Sequence, residues 1–242
     1  MRSSLPYSPP PVGLHAAAVY IKIIKKIPLD QFPILVYGDY MAHTVGALAL
    51  DKYYTYADYK EWDLAEGERY ELIYGEAYAM SAPNTYHQLI LAELFKQIAV
   101  YLTGKPCKAI PAPFDVRLFY AEDDSDDTVV QPDITIICDR KKIGAEGGRG
   151  APDFIAEILS PSNTAIEMQR KFELYRKAGV REYWVIDPEH KTLHIYDFKN
   201  DAIFPRTYNA AGVAKVGIFP DLEITLEPVF AEASSGDSES ED

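Results

Sequence analysis

Asp133 stands immediately before Ile134 to Cys138, a nearly continuous apolar run that reads as a buried strand, so its carboxylate sits at the mouth of that strand. Taken alone, such an acid can simply cap a strand end. Glu157 is more demanding. It lies inside Phe154 to Leu159, apolar on both faces, where an ionised carboxylate is costly unless a cation, a partner base or hydrogen bonds compensate it. If the two strands pair antiparallel about the turn Gly144 to Gly150, a register centred near residue 145 sets Asp133 opposite Glu157. Two facing acids repel unless a hard divalent cation such as Mg²⁺ or Mn²⁺ bridges them; the alternative is a buried Glu157 paired with an arginine such as Arg181. Lys171 is the third candidate. Helical spacing groups it with Glu167, Leu174 and Ala178 at the edge of an apolar stripe, where it either turns inward or forms an ordinary i, i+4 surface pair with Glu167. Glu71 is the fourth, a strand acid alternating with Ile73, with Arg69 beside it as a competing explanation.

The elements that must position these groups follow from periodicity and punctuation. Thr55 is a plausible N-cap for a short helix carrying Tyr56, Tyr59 and Trp62 and ending by Gly67. Tyr70 to Met80 reads as a hairpin or kinked strand about Gly75. A longer helix starts near Asn84 or Thr85 and carries Leu89, Leu91, Phe95, Ile98 and Leu102 until Gly104 and Pro106 stop it. His87, at its start, reads as a capping or solvent histidine rather than a base. Strand candidates follow at Cys107 to Phe119, Val129 to Cys138 and Phe154 to Leu159, then a helix over Asn163 to Ala178 closed by Gly179. Glu182 to Ile186 and Leu193 to Phe198 flank Asp187-Pro188 as a second hairpin, with Tyr183 and Trp184 as strand core.

With 48% hydrophobic and 25% charged residues the chain is not disordered as a whole. Cys107 and Cys138 lie in apolar runs without a close Cys or His neighbour, which argues against a disulfide framework and against zinc, and a cytoplasmic location fits best. No stretch suits a spanning helix, and Pro9 to Pro11 fall where the apolar core of a signal peptide would begin. The net charge of −13 is misleading for nucleic acid: ten acids lie in two stretches without a base, 122–127 and 232–242, and the rest of the chain carries only −3. Arg140, Lys141, Lys142, Arg149, Arg170, Arg176, Lys177 and Arg181 supply a local basic surface. Residues 1–50 read as an N-terminal extension, 51–230 as one domain, and 231–242 as a solvated acidic tail.

The ordered set Gln131-Pro132-Asp133, Glu157 to Ser162, Lys171 with Glu173-Leu174-Tyr175, Ala178 to Trp184 and Asp187-Pro188, preceded by Arg69 to Ile73 and Gly75-Glu76, resembles the Uma2 family of endonucleases over Tyr54 to Phe198. That family is assigned to the PD-(D/E)xK nuclease superfamily. The resemblance implies an α/β (α+β) restriction-endonuclease-like core, a mixed central sheet flanked by helices in the order αβββαβ, here with extra C-terminal strands. It also implies Asp133 and Glu157 as the metal-binding acids, assisted by the backbone carbonyl of Leu159, with Glu71 as an additional upstream acid. The superfamily's usual lysine would fall at Leu159, and the resemblance moves that role to Lys171. The activity implied is Mg²⁺- or Mn²⁺-dependent hydrolysis of phosphodiester bonds in nucleic acid, DNA in the first place. The competing class is a nuclease-fold binding or assembly module without turnover. A homodimer is compatible with the sequence, and a membrane partner is not.

Overall fold

The computed structural model of the chain describes residues 52–161 and 163–231. Its elements are α1 (Tyr56–Tyr59), β1 (Tyr70–Ile73), β2 (Glu76–Ala79), α2 (Thr85–Leu102), β3 (Lys108–Pro111), β4 (Val116–Arg117), β5 (Val129–Val130), β6 (Ile134–Ile137), β7 (Ile143–Gly144), β8 (Gly147–Arg149) and β9 (Phe154–Ile158). Then come α3 (Ala165–Ala178), β10 (Glu182–Asp187), β11 (Thr192–Asp197), β12 (Arg206–Asn209), β13 (Val213–Lys215), β14 (Glu223–Thr225) and α4 (Leu226–Ala231). The readings of residues 1–50 as an extension and of the tail beyond Ala231 fall outside the described residues.

Local chemistry sets the ends of the two long helices. Asn84 caps α2 by accepting the His87 N–H at 2.8 Å. Thr164 and Glu167 form a capping box at the start of α3, and Gly179, at φ 93°, takes the left-handed conformation that ends it. In the β1–β2 hairpin both turn residues, Tyr74 and Gly75, have positive φ, which matches the twist of a two-residue turn. The first helix is shorter than its aromatic spacing predicts. It stops at Tyr59, and Trp62 leaves the helix to pack edge-on against Tyr54 and Tyr70.

The main sheet has the order β12-β11-β10-β9-β6-β3, with β9 and β10 parallel and the other pairs antiparallel. In chain order α2, β3, β6, β9, α3 and β10 give the expected αβββαβ core, and β11 to β14 are the additional C-terminal strands. Ile90, Leu94 and Ile98 of α2 cover one face, over Ile134, Ile136, Phe154 and Trp184. Leu174 and Tyr175 of α3 cover the other, over Ile155, Tyr183 and Val185. The pairing of Ile134 with Ala156 and Thr135 with Ile155, continued by one step, sets Asp133 against Glu157, the register expected.

Two sequence expectations need correction. The runs 107–119 and 129–138 are not single strands: β3 and β6 belong to the main sheet, whereas β4 and β5 belong to a second sheet of order β2-β1-β5-β4-β8-β7. Pro113 and Pro132 lie at the breaks and have no N–H to continue a ladder, so the chain changes sheet there. The cysteines are paired. Lys108 faces Ile137 in the β3–β6 ladder, and one step outward Cys107 and Cys138 form a disulfide. This disulfide removes the ground for placing the chain in a reducing compartment. Among the described residues no helix is long and apolar enough to cross a membrane.

Candidate active site

The ends of β6 and β9, the middle of β1, and one side each of α2 and α3 meet at a cleft of about 470 Å³ lined by Glu71, His87, Asp133, Glu157, Arg170 and Lys171, among others. All four sequence candidates with chemical side chains are therefore together. Lys171 turns inward: its Nζ lies 2.9 Å from Glu157 Oε1 and 3.2 Å from Glu71 Oε1. The surface pair with Glu167 does not form, because Glu167 is spent on the N-cap of α3. Glu71 is buried rather than edge-facing and accepts the Gln131 N–H at 3.0 Å. Arg181, the competing partner for Glu157, pairs with Asp153 at 2.9 Å instead. Leu159 is not brought to the cleft. Its N–H pairs with Ile186 across the sheet and its side chain packs into the α3-side core, while Ile158 lines the cleft.

Each acid is held by one oxygen. Glu157 Oε1 accepts from Lys171 and from the buried Tyr175 hydroxyl at 2.5 Å. Asp133 Oδ2 accepts the Ile158 N–H at 2.7 Å and lies 3.2 Å from His87 Nε2. Glu71 Oε1 takes both Gln131 N–H and Lys171. The second oxygen of each carboxylate has no hydrogen-bond partner among the described residues. Burial pushes the Glu157 carboxyl up from 4.5 to about 7, reinforced by Asp133 and Glu71 and opposed by Lys171 and Tyr175. Burial works against the Lys171 charge too, but Glu157 and Glu71 outweigh it and hold that ammonium above its ordinary value. Two of the three acids thus share one lysine, and the third, Asp133, faces His87.

This donor set fits a small hard cation. Among the described residues no three His, Cys, Asp or Glu side chains form a ready-made cage. Mg²⁺ does not ask for one, being commonly held by one or two carboxylates and several waters. Free oxygens on Asp133 and Glu157, in a cleft with an excess of negative charge, meet that requirement.

The proposed basic surface is divided. Arg176 and Arg181 are neutralised by Asp201 and Asp153, and Lys142 donates to the Ala151 carbonyl. Arg170 lines the cleft, stacked over Tyr78, and Arg69 lines it as well. Sequence reasoning missed His87 and Tyr175. A lone histidine at a helix start has no periodic signature, and Tyr175 reads as one more member of the α3 stripe.

Residues 56–227 match the model of the Uma2 family, described as "Putative restriction endonuclease". Two Synechocystis sp. relatives, "Uncharacterized protein slr1290" and "Uncharacterized protein sll1609", are 23% and 26% identical over 60% and 58% of this chain, covering 73% and 78% of their own length. The fold is similar to that in a crystal structure titled as a "putative nuclease belonging to DUF820" from Anabaena variabilis ATCC 29413. The TM-score is 0.60 at 20% identity, over 74% of this chain and 99% of that one.

Proposed function

As the chain belongs to the Uma2 family, we propose that it is an endonuclease that hydrolyses phosphodiester bonds of nucleic acid, DNA in the first place, with Mg²⁺ or Mn²⁺ as cofactor. The observation that carries this reading is the convergence of Glu71, Asp133 and Glu157 on one cleft with Lys171 as the cation between two of them.

Asp133 and Glu157 would hold the cation, and a backbone carbonyl donor would come from Ile158, which lines the cleft, rather than from Leu159. A divalent ion held there supplies Lewis-acid polarisation of the phosphate and a more acidic water. The chain's own residues do the rest. Lys171, held by two acids at the cleft wall, faces the charge that grows on the phosphoryl oxygens and stabilises it. Glu71 keeps that ammonium in place, and its own Oε1 is fixed by the Gln131 N–H. Arg69 and Arg170, which line the cleft, would take the phosphates flanking the scissile one.

The test is cleavage of plasmid and oligonucleotide by the purified chain with Mg²⁺ or Mn²⁺. Product that accumulates with the ion and stops with a chelator is expected. Cleavage unaffected by a chelator, or retained in Asp133→Ala, would overturn the assignment to this site.

A further inference from the structure

The cleft acids are not symmetric about their own carboxyl carbons. On Glu157 both donors, Lys171 and Tyr175, fall on Oε1. On Asp133 both neighbours, the Ile158 N–H and His87 Nε2, fall on Oδ2. A carboxylate whose two oxygens are both solvated can rotate. One that is engaged through a single oxygen has its other oxygen aimed by the protein.

Two side chains complete this arrangement. Tyr175 is fully buried on α3, one turn beyond Lys171, and its hydroxyl is spent on Glu157. A phenylalanine there would fill the same core, so the oxygen has a purpose beyond packing. His87 is buried in the first turn of α2 with its Nδ1 lacking any partner among the described residues. Its one polar ring contact is therefore with Asp133. A buried ring nitrogen without a partner is a cost, and the compensating gain has to lie at Asp133.

We infer that Tyr175 and His87 are positioning residues of this site: the Tyr175 hydroxyl donates to Glu157 Oε1 and His87 Nε2 lies 3.2 Å from Asp133 Oδ2, so that Glu157 Oε2 and Asp133 Oδ1 are the oxygens left to face the cation. The inference rests on the proposed divalent-cation site. Groups that orient metal ligands from behind commonly contribute 10- to 100-fold to affinity, and that is the scale set for each residue here. The loss of cleavage in each variant is expected to follow the loss of the ion.

The experiment measures Mn²⁺ affinity of the full chain by calorimetry and by the loss of the free-ion electron paramagnetic resonance signal, alongside thermal unfolding without metal. The variants are Tyr175→Phe, His87→Ala and His87→Gln, with Asp133→Asn as reference. Tyr175→Phe and His87→Ala are expected to bind Mn²⁺ at least about tenfold more weakly. His87→Gln, which returns an N–H donor near the Nε2 position, is expected to recover most of the loss. Wild-type Mn²⁺ affinity in Tyr175→Phe and His87→Ala, with Asp133→Asn impaired, overturns the inference and leaves the site intact. A fall in melting temperature with unchanged affinity does the same, since it assigns both side chains to packing. Loss in only one variant overturns it for the other residue. If Asp133→Asn binds Mn²⁺ as the wild type does, the reading of the cleft itself fails. Should His87→Ala not fold, His87→Gln and Tyr175→Phe carry the test.

Discussion

Two ionic clusters in this fold, each with a buried centre, are built from the same kinds of side chain and differ in balance. Arg117 lies over the rings of Tyr56 and Tyr120, donates through Nε to Asp126 at 2.9 Å and through Nη2 to the Ala121 carbonyl at 2.7 Å, and pairs with Asp124 at 2.9 Å. Lys60 takes the other side of Asp124 at 2.7 Å. Two cations meet two acids there, and both Asp126 oxygens are used. In the cleft Lys171 serves two acids, Glu71 and Glu157, while Asp133 faces His87, and one oxygen of each acid is left over. A cluster that closes on itself does nothing but hold the second sheet to its loop. One that leaves lone pairs unspent has the features of a ligand site.

The contrast is broken most forcefully by removing one member of each cluster. Asp133→Ala is expected to abolish cleavage with only a modest fall in melting temperature. Arg117→Leu, which strands the buried Asp126, should cost about 3–5 kcal/mol of stability, a fall of order 10 °C. Thermal unfolding and cleavage measured on both variants check this. An inactive Asp133→Ala that also melts as early as Arg117→Leu would erase the distinction.

Lys171→Ala comes next. It should lower the cleavage step by about 10²-fold or more without weakening Mn²⁺ binding, because the lysine is not a ligand and its loss removes positive charge. Lys171 is not a surface decoration, since it lies between two buried acids, so the variant should also be less stable near neutral pH. The raised pKa of Lys171 means that its stabilising charge is present across the whole neutral range and is lost only when pH rises through that value. Lys171→Arg should not restore the rate, as a planar guanidinium places its charge differently from an ammonium. Single-turnover cleavage with calorimetric Mn²⁺ titration decides it; a rate within a few fold of wild type would remove Lys171 from the chemistry.

How much of this was readable before the fold can be followed residue by residue. The facing of Asp133 and Glu157 was readable because two apolar runs flanked a glycine-rich turn, and a period-two pattern admits few registers. The direction of Lys171 was not, because Glu167 four residues earlier offered an equally good partner; only the capping box, which consumes Glu167, decides between them. The strand breaks coincide with Pro113 and Pro132, whose signal is masked by the apolar runs around them. The disulfide joins positions 31 residues apart, a contact that only the β3–β6 pairing creates. His87 was unreadable because its role depends on where α2 starts relative to the end of β6, a tertiary fact.

A smaller effect separates the clusters by pH. The Glu157 carboxyl is raised from 4.5 to about 7 in the fold. Below 4.5 the group is protonated in both folded and unfolded chains and costs nothing. As pH rises from there the unfolded chain ionises first, so the wild type loses stability until about 7, beyond which the loss is constant. Glu157→Gln has no such loss. In metal-free buffer the variant should therefore match the wild type near pH 4.5 and exceed it at pH 8. Urea unfolding at the two pH values measures the gap; one that fails to widen would mean that the cleft already compensates the buried charge.

The smallest expected effect is at Lys177, two turns along α3 from Arg170. Its Nζ lies 4.7 Å from the Tyr74 ring centroid and 5.7 Å from that of Phe119, on the β1–β2 hairpin side and away from the acids. An exposed contact of this kind is worth about 0.5–1 kcal/mol, so Lys177→Ala should lower the melting temperature by roughly 2–4 °C at most. It removes the same charge from the same helix as Lys171→Ala but leaves Glu71 and Glu157 with their cation. Its single-turnover rate should stay within about twofold of wild type, against the loss of about 10²-fold at Lys171. Comparable defects in the two lysine variants would mean that α3 acts through its overall charge, and that the inward turn of Lys171 has no separate part in cleavage.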